Sequence, residues 1–380
     1  MAVVKKSLPF VLPISRIIKP FKRFDRITGP LLSRLMKRNA SSKLLGSDEI
    51  GSILVIRPGG IGDAVLTLPM MNSLGNYFPK ATIDVLAERR NAGVYRAVEP
   101  GPAVYMYDVD PLVTFKTLKA KQYDLIIDTE QFHYLSTIYA NLLKPRSLIA
   151  FDTAGRGSLA THVVSYSDVK YEAQSFLDLA AVYCRWGGLF DEERPFLFPP
   201  SESLALAEEL FCIFDKKPVV ALAPSAGALN RIWALEKFEE LAVWLFGKGY
   251  CLCLVGGADS LEAGARIASL GEGKNILDLC GKASLIETAA ALSLCSACVS
   301  SDTGVLHLSY AVGSKVVGLF GSGLSVKWGP RGTRARVVSA GLDCSPCTRG
   351  SITPQCKNGF KCMDDISVES VIAALEELIS

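Results

Sequence analysis

The sequence predicts an α/β protein built from two Rossmann-like, doubly wound domains that face each other across a cleft. Three observations carry this expectation. The chain has 380 residues, more than one domain of ordinary size. From Ser52 onward, short β-branched runs alternate with longer amphipathic stretches, the pattern of βαβ units on a parallel sheet. That alternation pauses in a segment containing Pro195, Pro199 and Pro200, and then begins again. The composition, 49% hydrophobic and 21% charged, suits a chain that buries real cores and excludes disorder, collagen and coiled coil as global descriptions. With 41 Lys and Arg against 38 Asp and Glu, the net charge of +3 gives no reason to expect nucleic acid as a partner.

The first element is a basic arm over residues 1–48. Residues 1–43 hold eleven Lys or Arg and a single acid, Asp25, a net of +10 that leaves −7 for the rest. Ile14, Ile17, Ile18, Phe21 and Phe24 recur at helical spacing between the cations, although Pro20 argues against one straight helix. The arm is expected to dock on an anionic membrane surface. The apolar stretches near Val11 and Leu31 are broken by prolines and charges, so neither is expected to span a bilayer.

Strands follow over 52–57, 82–86, 104–107, 123–128 and 147–150, with helical spacing between them, for instance Val65, Leu68, Met71 and Leu74. A helical stretch over 173–185 leads to a linker over 191–218. The second series has strands over 219–223, 251–255, 276–279, 297–301 and 316–320. The domains expected are 49–200 and 201–365, with a C-terminal helix over 366–380. Eleven cysteines in a chain with this much core and no visible signal peptide point to a reducing, cytoplasmic setting.

In open α/β sheets ligands lie beyond the carboxyl ends of the strands, so the chemistry is sought in those loops. The first loop carries Gly59, Gly60 and Gly62 and then Asp63 at a helix start. It fits the dinucleotide fingerprint imperfectly, and Asp63 reads either as a capping carboxylate or as a general base. The corresponding loop of the second half places Asp302, Thr303 and Gly304 at a helix start, suited to phosphate oxygens, with His307 one turn on. Arg231 follows a small-residue loop and suits a pyrophosphate, while Asp259 and Glu262 offer oxygens to ribose hydroxyls. Asp108-Val-Asp110 has the form of a metal-binding D-x-D but follows a strand of the first half. Cys344, Cys347, Cys356 and Cys362 are spaced as thiolates that could bind a structural zinc, and packed free thiols explain them equally well.

Gly60-Ile-Gly-Asp63 with Leu66-Thr-Leu-Pro69, Ser301-Asp-Thr-Gly304 with His307, Gly318-Leu-Phe-Gly321 and Trp328-Gly-Pro330 together resemble glycosyltransferase family 9, the ADP-heptose:lipopolysaccharide heptosyltransferases. The resemblance runs from about Ser52 to the end. It implies a GT-B fold and an inverting transfer, without a metal or other cofactor, of heptose from ADP-heptose to a lipid-linked lipopolysaccharide core acceptor. Asp63 resembles the family's base. Asp302, Thr303, Gly304 and His307 match the motif that holds the donor's sugar and diphosphate. Where the family commonly has a phosphate-binding lysine before a tryptophan, this chain has Arg231 before Trp233. Either Asp259 or Glu262 resembles the nucleoside-binding acid. The alternatives are a different nucleotide-sugar donor, a nicotinamide-dependent oxidoreductase and a non-catalytic nucleotide-sugar-binding protein.

Overall fold

The computed structural model describes residues 14–36, 44–99, 101–153, 155–184, 189–271, 275–350 and 352–379, with the backbone alone over 14–23. The chain opens with α1 (Ile14–Leu35) and then lays down β1 (Ser52–Ile56), β2 (Thr82–Ala87), β3 (Ala103–Met106), β4 (Leu125–Asp128), β5 (Ser147–Phe151) and β6 (His162–Val164). Around these strands run α2 (Ile61–Leu66), α3 (Leu68–Tyr77), α4 (Ala92–Arg96), α5 (Pro111–Lys121), α6 (Tyr134–Leu142) and α7 (Glu172–Ala180). The second series has β7 (Val219–Ala223), β8 (Cys251–Leu254), β9 (Ile276–Asp278), β10 (Ala297–Ser301), β11 (Lys315–Leu319) and β12 (Ala335–Val338). Its helices are α8 (Ser201–Phe211), α9 (Leu235–Gly247), α10 (Leu261–Ala268), α11 (Leu285–Ser293), α12 (Gly304–Ala311), α13 (Ser325–Trp328), α14 (Lys361–Asp364) and α15 (Val368–Ile379).

Each series forms one parallel sheet. The orders, β3-β2-β1-β4-β5-β6 and β12-β11-β10-β7-β8-β9, are the same doubly wound order repeated, so each sheet reverses its winding once. Those switch points lie between β1 and β4 and between β7 and β10. Strands β4, β5, β7, β8 and β10 are buried along their whole length, as parallel strands covered on both faces must be. One apolar core joins the two sheets, running from Val55 and Ile127 to Ala221, Cys298 and Val316. A second, holding α15 and α9 against the other face of the second sheet, includes Trp233, Leu245, Val371 and Leu375.

Several expectations change. The helix expected across Val65–Leu74 breaks at Thr67, because Pro69 has no amide to give the preceding turn and its ring crowds that turn's carbonyl. The Thr67 hydroxyl donates instead to the Ala64 carbonyl at 2.7 Å. The linker over 191–218 contains α8, which packs on α11 of the second half. Each sheet gains a short edge strand that the sequence reading did not include, β6 or β12.

The arm also differs. Its described backbone is one helix that continues through Pro20 and Pro30, with the Thr28 hydroxyl bonding the Phe24 carbonyl at 2.8 Å. The side chains of Ile14, Ile17, Ile18 and Phe21, and residues 1–13 and 37–43, lie outside the described residues. What ties α1 down is Asp25. Its carboxylate is buried and accepts the α6 amides of Tyr134 at 3.0 Å and Leu135 at 2.7 Å, satisfying donors that a helix start leaves unpaired. Phe24, Ile27, Leu31 and Leu35 face solvent together on α1. Among the described residues no helix is long and apolar enough to cross a membrane.

Candidate active site

The two switch points face each other. Asp63 and the Glu130-Gln131 pair follow β1 and β4, while Arg231 and Asp302 follow β7 and β10. The seam between them is the contact of two helix starts, α2 and α12. A Cβ on Gly62 would lie 2.5 Å from the His307 ring, and one on Gly304 would lie 2.7 Å from Ile61 Cβ. Both positions therefore need glycine for close approach, and Gly59 needs it for its φ of 105°. The sequence-predicted base and donor motif are thereby brought side by side.

On the first side, Asp63 stands in the first turn of α2, whose N-cap is Gly60 and has no side-chain cap bond. Its carboxylate is about a quarter exposed (27%) and lies 3.6 Å from Arg57 Nη2. Arg57 is buried at the end of β1. It donates to the Pro58 carbonyl at 2.6 Å, the Thr129 carbonyl at 2.8 Å and Gln131 Oε1 at 3.2 Å, and sits 3.8 Å from Glu130. Burial opposes its charge, but Asp63 and Glu130 outweigh burial and hold it firmly protonated. Glu130 is likewise buried; Arg57 and then His133 overcome the burial penalty and lower its pKa. The Gly59 amide is occupied by Glu88 at 3.1 Å, which fixes the glycine loop.

On the second side, Arg231 Nη1 donates to the Asp302 carbonyl at 3.0 Å and lies 3.3 Å from its Oδ2, an ion pair without hydrogen-bond geometry. Its loop is anchored by Trp233, which is fully buried and donates its indole N–H to the Ile366 carbonyl at 2.9 Å. Asp302 is buried. Burial would raise its carboxyl, but the approach of His307, at 3.9 Å, and the Arg231 charge hold it below its ordinary value. Asp302 Oδ2 and His307 Nδ1 are buried and have no hydrogen-bond partner among the described residues. Thr303 is the N-cap of α12 but makes no side-chain cap bond; its hydroxyl lies 3.1 Å from Ser300 Oγ. The side chain of Thr303 thus does not cap the first amides of α12.

Other sequence candidates stand apart. Asp259 is exposed beyond β8 and accepts Ser225 Oγ at 3.3 Å, whereas Glu262 projects from the first turn of α10 to solvent. Asp108 accepts the Arg89 amide at 2.9 Å, and Asp110 precedes α5, both at the edge strand β3. Cys344, Cys347, Cys356 and Cys362 are free thiols. The last is buried and its pKa is raised, first by burial and then by the other three. Among the described residues no group of three or more His, Cys, Asp or Glu is placed to hold a metal, so the zinc expectation finds no assembled site. The spacing predicted ligands but not their directions.

The sequence reading missed the polar residues behind Asp63. Glu130 and Gln131 lie just beyond β4 at the switch point, a position that the strand order makes significant and the local sequence does not. Glu172, at the start of α7, is fully buried and pairs with Lys327 of α13 at 2.8 Å. Burial raises the Glu172 carboxyl, Lys327 opposes this, and Asp63 adds to it. Lys327 directly precedes the Trp328-Gly-Pro330 motif, which was the available signal.

Two repeated doubly wound sheets meeting at their switch points, with a carboxylate on one side and a cation and bare helix start on the other, define a glycosyltransferase of the GT-B type. Residues 112–357, most of the chain, match glycosyltransferase family 9 (heptosyltransferase), and the chain belongs to that family. The matched stretch contains Arg231 and the Asp302–His307 motif and begins after the Asp63 loop. The chain is 25% identical over 347 residues to lipopolysaccharide heptosyltransferase 3 of Escherichia coli K12, covering 84% of this chain and 95% of that protein. It is 23% identical over 353 residues to lipopolysaccharide heptosyltransferase 2 of Salmonella typhimurium, covering 86% and 98%. Among solved structures it resembles E. coli ADP-heptose LPS heptosyltransferase II, with TM-score 0.68, 20% identity and coverage of 86% and 98%. It also resembles a family 9 glycosyltransferase from Veillonella parvula, with TM-score 0.71, 19% identity and coverage of 89% and 98%. At these identities the structural likeness establishes the fold.

Proposed function

We propose that this glycosyltransferase moves a heptose from ADP-heptose onto a lipid-linked lipopolysaccharide core acceptor with inversion, the first half binding the acceptor and the second the donor. Asp63 takes the proton from the acceptor hydroxyl as its oxygen bonds the anomeric carbon. The bond from that carbon to the diphosphate breaks on the opposite face, and ADP leaves with the electron pair. Arg231 and the first amides of α12 stabilise the charge that develops on the departing phosphate. Asp302 and His307 hold the sugar, and Asp259 or Glu262 the ribose. The observation that carries this reading is the Gly62–His307 contact, which sets the Asp63 helix against the donor motif. The names of the relatives supply the sugar and the acceptor class.

The enzyme acts at the cytoplasmic face of a membrane, where α1 presents Phe24, Ile27 and Leu31 among basic residues to anionic lipid. Product analysis by mass spectrometry, offering ADP-heptose, UDP-sugars and GDP-sugars with truncated lipopolysaccharides, tests the assignment. A heptosylated acceptor formed from ADP-heptose is expected. Consumption of another donor alone would replace the donor, and absence of transfer from every donor by folded protein would leave a binding protein.

A further inference from the structure

We infer that Glu172 and Lys327 are positioning residues, through which the donor-side half fixes the Arg57–Asp63 pair on the acceptor side. This rests on the reading of Asp63 as the base. Lys327 belongs to the second half by sequence, yet its ammonium is bonded into the first: to Glu172 at 2.8 Å, the Ser167 carbonyl at 2.7 Å and the Lys170 carbonyl at 3.4 Å, over the Tyr166 ring at 4.1 Å. Its side chain is 1% exposed. A lysine so placed is an investment made across the seam, since a buried ammonium is tolerated only when fully partnered.

From Lys327 the contacts continue inward. Glu172 accepts the Gln131 amide N–H at 2.5 Å and the Tyr166 hydroxyl at 3.0 Å. Gln131 Oε1 in turn accepts Arg57 Nη1 at 3.2 Å, and Arg57 Nη2 faces Asp63. The Gln131 amide is thus committed at both ends, and its orientation depends on Glu172 remaining an acceptor. Charge makes the same point. Arg57 lies among Asp63, Glu130 and Glu172; Glu130 is also eased by His133 and Arg156, so the competition that matters is between Asp63 and Glu172. With Lys327 present, Glu172 has its own cation and Arg57 stays with Asp63. Without it, Glu172 competes for Arg57, and the Asp63 carboxylate loses the contact that orients it toward the seam.

The test is a double-mutant cycle in the full chain. Lys327→Met should lower kcat for sugar transfer on the order of tenfold while leaving ADP affinity, read by titration calorimetry, within about twofold. In an Asp63→Asn background the same substitution should change the residual rate by less than about twofold, because the group it positions is already gone. Gln131→Leu cuts the relay without stranding the ion pair; it should show the same loss and the same non-additivity, and it serves where Lys327→Met folds poorly. Losses that multiply unchanged in the Asp63→Asn background, or full kcat in both variants, would overturn the inference. Near-normal turnover of Asp63→Asn itself would instead overturn the reading of Asp63 as base.

Discussion

Replacing the Asp63 carboxylate by an amide preserves its size and its place in the first turn of α2 but removes the proton acceptor. Under the proposed mechanism Asp63→Asn should lower kcat by about 10²- to 10⁴-fold, with ADP affinity nearly unchanged, because Arg231 and α12 are untouched. Steady-state kinetics and calorimetry on the same preparation would show the split, and preserved turnover would refute the assignment. Asp302 gives a prediction in pH. Its folded pKa lies below its unfolded value, so its contribution to stability is present above the ordinary carboxylate range and is lost as pH falls through the depressed folded value. Melting temperatures taken from neutral pH down to about pH 3 should therefore fall less steeply at the acid end in Asp302→Asn than in the parent. An identical acid slope would show that the carboxylate is not held as described. At this scale the sequence was legible where a residue's role follows from local chain: a carboxylate after a glycine loop, a hydroxyl at a helix start. Glu172 and Lys327 were not legible, since their meaning arises from partners 155 positions apart in the chain.

The elements that matter most for function are α2 and α12, short helices whose starts touch. Because a methyl group at position 62 would strike the His307 ring at 2.5 Å, Gly62→Ala should force the helices apart or turn the ring. A stability loss of about 1–3 kcal/mol is expected from overpacking, together with a fall in turnover larger than that loss explains at assay temperature. Denaturant melts and kinetics on the folded variant measure both, and wild-type values for both would show that the seam is looser than described. Alternation of strand and helix periods made nearly every interior strand readable. The edge strands β6 and β12 were missed, although β3 and β9, edge strands of the same length, were read. Helix α8 was hidden by prolines that flank it, which read as linker although the chain beyond them is helical. The continuity of α1 through Pro20 was also unreadable from the sequence, as was the bonding of Asp25 to amides more than a hundred residues away.

For the whole molecule, charge is segregated, +10 in residues 1–43 against −7 in the rest, and under the proposed membrane docking this would orient the protein on an anionic surface with its acidic body turned away. In that arrangement the exposed apolar face of α1 would add to the attraction. Changing Phe24, Ile27 and Leu31 together to Ser should weaken co-sedimentation with anionic vesicles, and raised salt should weaken the parent's binding as well. Transfer to a soluble acceptor should be unaffected, and unchanged vesicle binding would remove the arm from this role. The charge run was plain in the sequence; that Asp25 ties the arm to α6 beside the Glu130 loop was not. The shared core and the glycine contacts have a further consequence, for how such enzymes diversify. Gly93 meets Leu285 across the same boundary, where a Cβ would lie 3.0 Å from the leucine side chain, as Gly62 meets His307 and Gly304 meets Ile61. The halves are therefore not interchangeable cassettes. A chimera that takes its donor half from a relative with another sugar preference must inherit matching residues at 61, 62, 93 and 172, or it will carry the new half on a misaligned Asp63 loop.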